Sequence, residues 1–87
     1  MASDLERIAD ALRVIGAEGT HRTGEYLRAR QQVETLLKQA SSIRVEGVDT
    51  RTVVSLLEDA RGKLEQAISL TSRLSGQASE FADRLAT

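Results

Sequence analysis

Cysteine, proline and tryptophan are absent from this 87-residue chain, and Tyr26 and Phe81 are its only aromatic residues. Without cysteine there is no disulfide, no thiol nucleophile and no cysteine metal site. Without proline nothing forces a helix to stop. With two aromatics, whatever core exists must be built from Leu, Ile, Val and Ala. No apolar run approaches the ~20 residues that a membrane-spanning helix needs. One sign of charge does not dominate either: the formal net charge is -1, whereas a nucleic-acid binder usually carries a basic excess. Met1 to Glu6 contains no basic segment leading into an apolar one. No secretory signal peptide is therefore expected, and the product is expected to be cytoplasmic or exported without a cleavable signal peptide. Eighty-seven residues make a single small domain, 1–87.

What the chain does have is periodicity. Leu5, Ile8, Leu12, Ile15, Gly19, Arg22, Tyr26, Ala29, Val33, Leu36, Ala40 and Ile43 follow one another at alternating three- and four-residue steps. A second ladder runs Val53, Leu57, Ala60, Leu64, Ala67, Thr71, Leu74, Ala78, Phe81 and Leu85. This is the heptad pattern that lays a stripe along one side of an α-helix. It predicts helices over 4–43 and 50–86 joined by a turn at 44–49. Ser3 and Glu6 have capping-box spacing at the start, and Asp4 and Glu6 place negative charge at the positive end of the helix dipole. Gly47 can take the positive φ that a turn requires, and Asp49 or Thr50 can cap the second helix.

The stretch from Gly16 to Gly24 holds three glycines and two threonines. Each glycine costs a helix about 1 kcal/mol relative to alanine, which favours a break near 16–23. The unbroken phase from Ile15 to Tyr26 and Ala29 favours a continuous helix instead, because an irregular loop would reset the register. Arg22 stands on the ladder. It can snorkel over the facing backbone or mark a buried polar layer, or the glycine-rich zone can lie against a partner helix.

Folding the chain at the turn sets the ladders antiparallel, with Leu36 near Ala60, Val33 near Leu64, Tyr26 near Thr71 and Gly19 near Ala78. Large residues then repeatedly face small ones, as interdigitated packing requires. The expected fold is thus all-α, an antiparallel two-helix hairpin. Further apolar residues lie off both ladders: Leu27, Leu37, Leu56, Ile68 and Leu70. A stripe wider than one seam belongs to a helix that contacts more than one neighbour, and so small a domain needs added burial. These five residues are the expected partner-binding positions. The expected assembly is a four-helix bundle of two hairpins, as a homodimer or as a heterodimer with another helical protein.

Chemistry finds little footing. Glu18 and His21 have the Glu-x-x-His spacing of di-iron bundles, with Glu25 one turn on, but His21 is the sole histidine. Helix two offers only Glu80 and Asp83 nearby. The spacing reads more simply as a solvated polar face, and no metal or other cofactor is expected. No nucleophile elbow and no phosphate loop is present, so the chain is not expected to be an enzyme, and no small-molecule substrate is evident. Arg22, Arg28 and Arg30 alternate with Glu18 and Glu25, a pattern of solvated helix surface rather than a nucleic-acid patch.

Two long antiparallel helices around the short turn Val45-Glu46-Gly47-Val48-Asp49, in a chain of this length, resemble the small hairpin proteins of type VII secretion: the WXG family and the helical partners of LXG toxins. Of the Trp-x-Gly signature only the glycine has a counterpart, Gly47. Phe81-Ala82-Asp83-Arg84-Leu85 places an aromatic near the tyrosine of that family's export signal, without the acid four residues later. The resemblance implies a partner or targeting chaperone more than a secreted substrate. The function expected is that of a non-enzymatic interaction module, an adaptor, chaperone or partner for another helical protein. The alternatives are a self-associating coiled-coil scaffold or phage-type accessory protein, and a ferritin-like metal-binding bundle.

Overall fold

A computed structural model describes residues 3–42 and 49–86. Two helices account for nearly all of them, α1 at Asp4–Ser42 and α2 at Thr50–Ala86, and no strand occurs among the described residues. The expected turn at 44–49, with Gly47, falls outside the described residues except for Asp49. The principal extents are 69 × 14 × 14 Å and the radius of gyration is 19.5 Å. A globule of this length would have a radius of gyration near ~12 Å, so the molecule is a rod two helices wide.

Local chemistry sets both helix starts. The Glu6 amide donates to Ser3 Oγ at 3.1 Å, and the Arg7 amide donates to the Ser3 carbonyl at 3.1 Å. Ser3 is therefore the N-cap, satisfying one of the four orphan N–H groups of a helix start. At α2 the cap is Asp49, not Thr50. The Arg51 amide donates to Asp49 Oδ1 at 3.1 Å, and Thr52 Oγ1 donates to Asp49 Oδ2 at 3.0 Å.

No break occurs near 16–23: α1 is helical throughout. The glycines there answer a packing need. A Cβ on Gly19 would lie 3.2 Å from both the Ser75 Cβ and the Thr71 carbonyl oxygen of α2, and one on Gly16 would lie 2.8 Å from Ser79 Oγ. The helices approach so closely that only glycine fits without displacing a neighbour. Hydroxyls then bind across the gap. Thr23 and Thr71 hydroxyls lie 2.7 Å apart, those of Thr20 and Ser75 lie 2.6 Å apart, and Ser75 Oγ donates to the Gly16 carbonyl at 2.8 Å. Hydroxyls drawn into a seam need partners there, so these pairs fix one register.

That register corrects the expected one. Thr71 pairs with Thr23 rather than Tyr26, and Gly19 meets Ser75 and Thr71 rather than Ala78. The slip is about one helical turn. The seam also lies to one side of the predicted stripe. On α1 it runs Ala9, Leu12, Gly16, Gly19, Thr23, Tyr26, Arg30, Val33, Leu37 and Ala40, each buried or half-buried. On α2 it runs Thr50, Val54, Leu57, Arg61, Leu64, Ile68, Thr71, Ser75, Ala78, Ala82 and Leu85. In heptad letters, Ala9, Gly16, Thr23, Arg30 and Leu37 are a on α1, as are Val54, Arg61, Ile68, Ser75 and Ala82 on α2. Leu12, Gly19 and Tyr26 begin the d series of α1, as Leu57, Leu64 and Thr71 do that of α2. Each predicted ladder thus contained the d series and, in place of a, the g series beside it. Away from the turn the physical reason is size: there a holds Ala9, Gly16, Thr23, Ser75 and Ala82, which let two helices close on one another, where g holds Ile8, Ile15, Arg22, Leu74 and Phe81; toward the turn a carries the larger Arg30, Leu37, Val54, Arg61 and Ile68.

Candidate interaction surface

The hairpin buries little. Its buried apolar residues are Ala9, Leu37, Ala78 and Ala82, and no large side chain among the described residues is fully enclosed. The larger apolar residues of the ladders stand outside: Ile8, Ile15 and Leu36 on α1, and Val53, Leu74 and Phe81 on α2, with Phe81 56% exposed. All six are g positions. Leu56 and Leu70, 65% and 62% exposed, are c positions, next to g around the helix.

These residues share one side of the rod. In an antiparallel pair the e positions of both helices line one edge of the seam, and the g positions line the other. The e edge is identified by contacts. Glu34, Ser41 and Glu58, all e positions, border a single shallow groove with Leu37, Val54 and Arg61. A Cβ on Gly16 would meet Ser79, also an e position. The g residues of α1 and α2 therefore flank each other on the opposite edge. The e edge and the b positions behind it carry Glu6, Asp10, Arg13, Glu34, Lys38, Glu58, Glu65 and Asp83, with several serines and glycines. The g edge is apolar except for Arg22, and the c positions behind it carry Leu56 and Leu70 together with Asp4, Glu18, Glu25, Lys63 and Arg84; the apolar side is a strip along g, widened at Leu56 and Leu70.

The ion pairs stay at the surface. Arg13 and Asp10 pair at 3.0 Å, Lys63 and Asp59 at 3.1 Å, and Arg84 and Glu80 at 2.6 Å, all exposed, and such pairs contribute little to stability. His21 Nε2 lies 2.7 Å from Glu25 Oε1, and Arg22 Nη1 lies 3.6 Å from Glu25 Oε2. Arg22 is not a buried polar layer; its side chain is 63% exposed. Among the described residues no group of three or more His, Asp or Glu is placed to hold a metal ion, so the Glu18–His21 spacing gathers no donor set within one chain. No described helix is long and apolar enough to cross a membrane.

The five expected partner-binding residues separate. Leu56 and Leu70 lie on the apolar side. Leu27 is exposed but occupies an e position on the polar side. Leu37 is buried at 9% exposure and Ile68 is half-buried. Both are a residues of the seam, so they hold the hairpin together and are not available to a partner. Sequence reasoning placed Ile8, Ile15, Leu36, Val53, Leu74 and Phe81 inside the seam, and they are the open face. For four of them the signal is a small residue one position further along, Ala9 after Ile8, Gly16 after Ile15, Ser75 after Leu74 and Ala82 after Phe81; Leu36 and Val53, followed by Leu37 and Val54, carry no such signal.

No family model, no curated protein and no solved structure matches the chain.

Proposed function

We propose that this chain is a non-enzymatic protein–protein interaction module, a helical hairpin that works by laying its apolar g/c side against the helices of another protein. The supporting observation is the inverted distribution of side chains. Small and hydroxylated residues close the seam away from the turn, while Ile8, Ile15, Leu36, Leu56, Leu70, Leu74 and Phe81 are exposed along one side. In both helices the apolar stripe spans a, d and g and is centred on d. The partner helix covers a and d, and g is left open. A stripe of three positions in seven belongs to a helix in a bundle rather than to an isolated pair. Anchors at helical spacing on an exposed face are how one helix recognises another.

An adaptor, chaperone or secretion partner uses such a face, and the resemblance in length and helix arrangement to the hairpins of type VII secretion supports a role as a toxin's helical partner. A self-associating scaffold is the second reading, favoured by the extension of the apolar side along both helices from Ile8 to Leu36 and from Val53 to Phe81.

The test combines size-exclusion chromatography with light scattering and pull-down with the immobilised chain, for the wild type and a Leu70→Glu/Phe81→Glu variant. Association or capture by the wild type, lost in the variant, is expected. A wild-type chain that stays monomeric and captures nothing would overturn the reading. Assembly well beyond a dimer would favour the scaffold.

A further inference from the structure

We infer that the occupant of the apolar side is a second copy of this chain, docked head to tail, with Arg22 of each copy facing Glu25 of the other. This rests on the interaction-module reading and names the partner within it.

Charge favours this arrangement. Arg22 is a g position and Glu18 and Glu25 are c positions, so all three lie on the docking side, near the middle of α1. Thr23 is level with Thr71 of α2, so the charged group sits about halfway along the rod. A partner hairpin running the opposite way, related by a two-fold axis across the rod, stacks α1 on α1 and α2 on α2. Each Arg22 then comes over the other copy's Glu25, twice by symmetry, and an isologous contact of this kind closes as a dimer. A partner running the same way stacks α1 on α2. Arg22 would then face the stretch of α2 around Leu70 and Leu74, where neither a g nor a c position carries an acid, and would keep only its own Glu25. The head-to-tail arrangement is the one that adds charge pairs across the interface.

Shape along α2 favours it as well. With the two-fold axis placed between Arg22 and Glu25, large residues of the α2 stripe fall against small ones. Phe81 lands level with Ala60 of the other copy, and Leu74 with Ala67, each time a large residue against a small one. The area is sufficient. A strip 69 Å long and 14 Å wide offers about 1,000 Å² per copy, above the roughly 800 Å² per partner of a standard stable interface. The charged middle between two apolar ends sets orientation, as polar residues within otherwise apolar bundle cores do.

Two measurements test this. In the first, Arg22→Glu and Glu25→Arg variants are each run in sedimentation equilibrium, alone and mixed. Each alone sets like charges against each other and is expected to dimerise at least tenfold more weakly than wild type. In the mixture, the glutamate introduced at position 22 of one copy faces the arginine introduced at position 25 of the other. Wild-type affinity is expected to return. A loss of an intrahelical pair alone would not recover on mixing. In the second, a spin label at Ser3→Cys, unambiguous in a chain without cysteine, reports the end-to-end arrangement. Head to tail separates the two labels by about 60 Å, from 1.5 Å of rise per residue, whereas a same-way dimer brings them within about 20 Å. A monomeric wild type, a short label distance, or variants that dimerise as wild type and ignore mixing would each overturn the inference. A monomeric wild type whose Leu70 and Phe81 still capture another protein would sink this inference and leave the interaction-module reading standing.

Discussion

The same substitution, glycine to alanine, is expected to have opposite effects at two positions five residues apart in α1. Gly24 has open space where a Cβ would go, with no atom within 4 Å. Alanine there gains the propensity difference of about 1 kcal/mol and restricts the unfolded chain, so Gly24→Ala is expected to stabilise by about 1 kcal/mol. At Gly19 the new methyl would sit 3.2 Å from the Thr71 carbonyl oxygen and 3.2 Å from the Ser75 Cβ. Neither neighbour is the free end of a flexible side chain. To reach ordinary contact distance the backbones must separate by a few tenths of an ångström. That strains the hydroxyl contacts of 2.7 Å between Thr23 and Thr71 and 2.6 Å between Thr20 and Ser75. Overpacking costs typically about 1–3 kcal/mol. Set against the propensity gain, Gly19→Ala is expected to be neutral to about 2 kcal/mol destabilising. The assay is thermal unfolding followed by circular dichroism at one fixed protein concentration, because association makes the midpoint concentration-dependent. One kcal/mol corresponds to about 4–8 °C in a domain of this size, so the two variants should melt measurably apart, with Gly24→Ala the higher. If Gly19→Ala raised the midpoint as much as Gly24→Ala, the close approach of the helices would be refuted.

Three further outcomes rest on the same geometry. Leu37→Ala, which empties a buried seam position, is expected to cost about 2–3 kcal/mol in urea unfolding; Leu56→Ala, at an exposed site, is expected to leave the stability of the isolated hairpin within about 0.5 kcal/mol and to weaken association by light scattering. Asp49→Ala removes both hydrogen bonds at the start of α2 and is expected to cost about 1 kcal/mol, read as a lower thermal midpoint. In a double-mutant cycle, Thr23→Val and Thr71→Val should show a coupling of about 0.5–1.5 kcal/mol; additive effects would mean that their 2.7 Å contact does not hold the register.

Much of the fold was legible because heptad periodicity is a property of the chain itself. The two helices and the Ser3 cap follow from spacing and local chemistry, and so does the continuity of α1 through Gly16 and Gly19, which phase argued and propensity opposed. The seam was less legible, for a physical reason. A bundle helix carries an apolar arc spanning a, d and g, and periodicity locates that arc without saying which edge meets the nearest neighbour. Hydrophobicity favours the edge with Ile8, Ile15, Leu74 and Phe81. Closeness favours the edge with Ala9, Gly16, Ser75 and Ala82, because helices linked as a hairpin gain most where their backbones can touch. Taking the larger residues as the seam hid that choice and left Leu37 and Ile68 among the expected partner positions, although they lie in the seam; Leu56 and Leu70 lie outside it and are exposed.

The account turns on whether the apolar side is covered in solution, and thiol reactivity measures that directly. Leu70→Cys places a lone thiol on the apolar side, and Ser69→Cys places one on the polar side, one residue away. In the proposed dimer, Leu70→Cys is expected to react with a water-soluble disulfide reagent at least tenfold more slowly than Ser69→Cys, with the difference vanishing on dilution to monomer. Equal rates at every protein concentration would contradict the account.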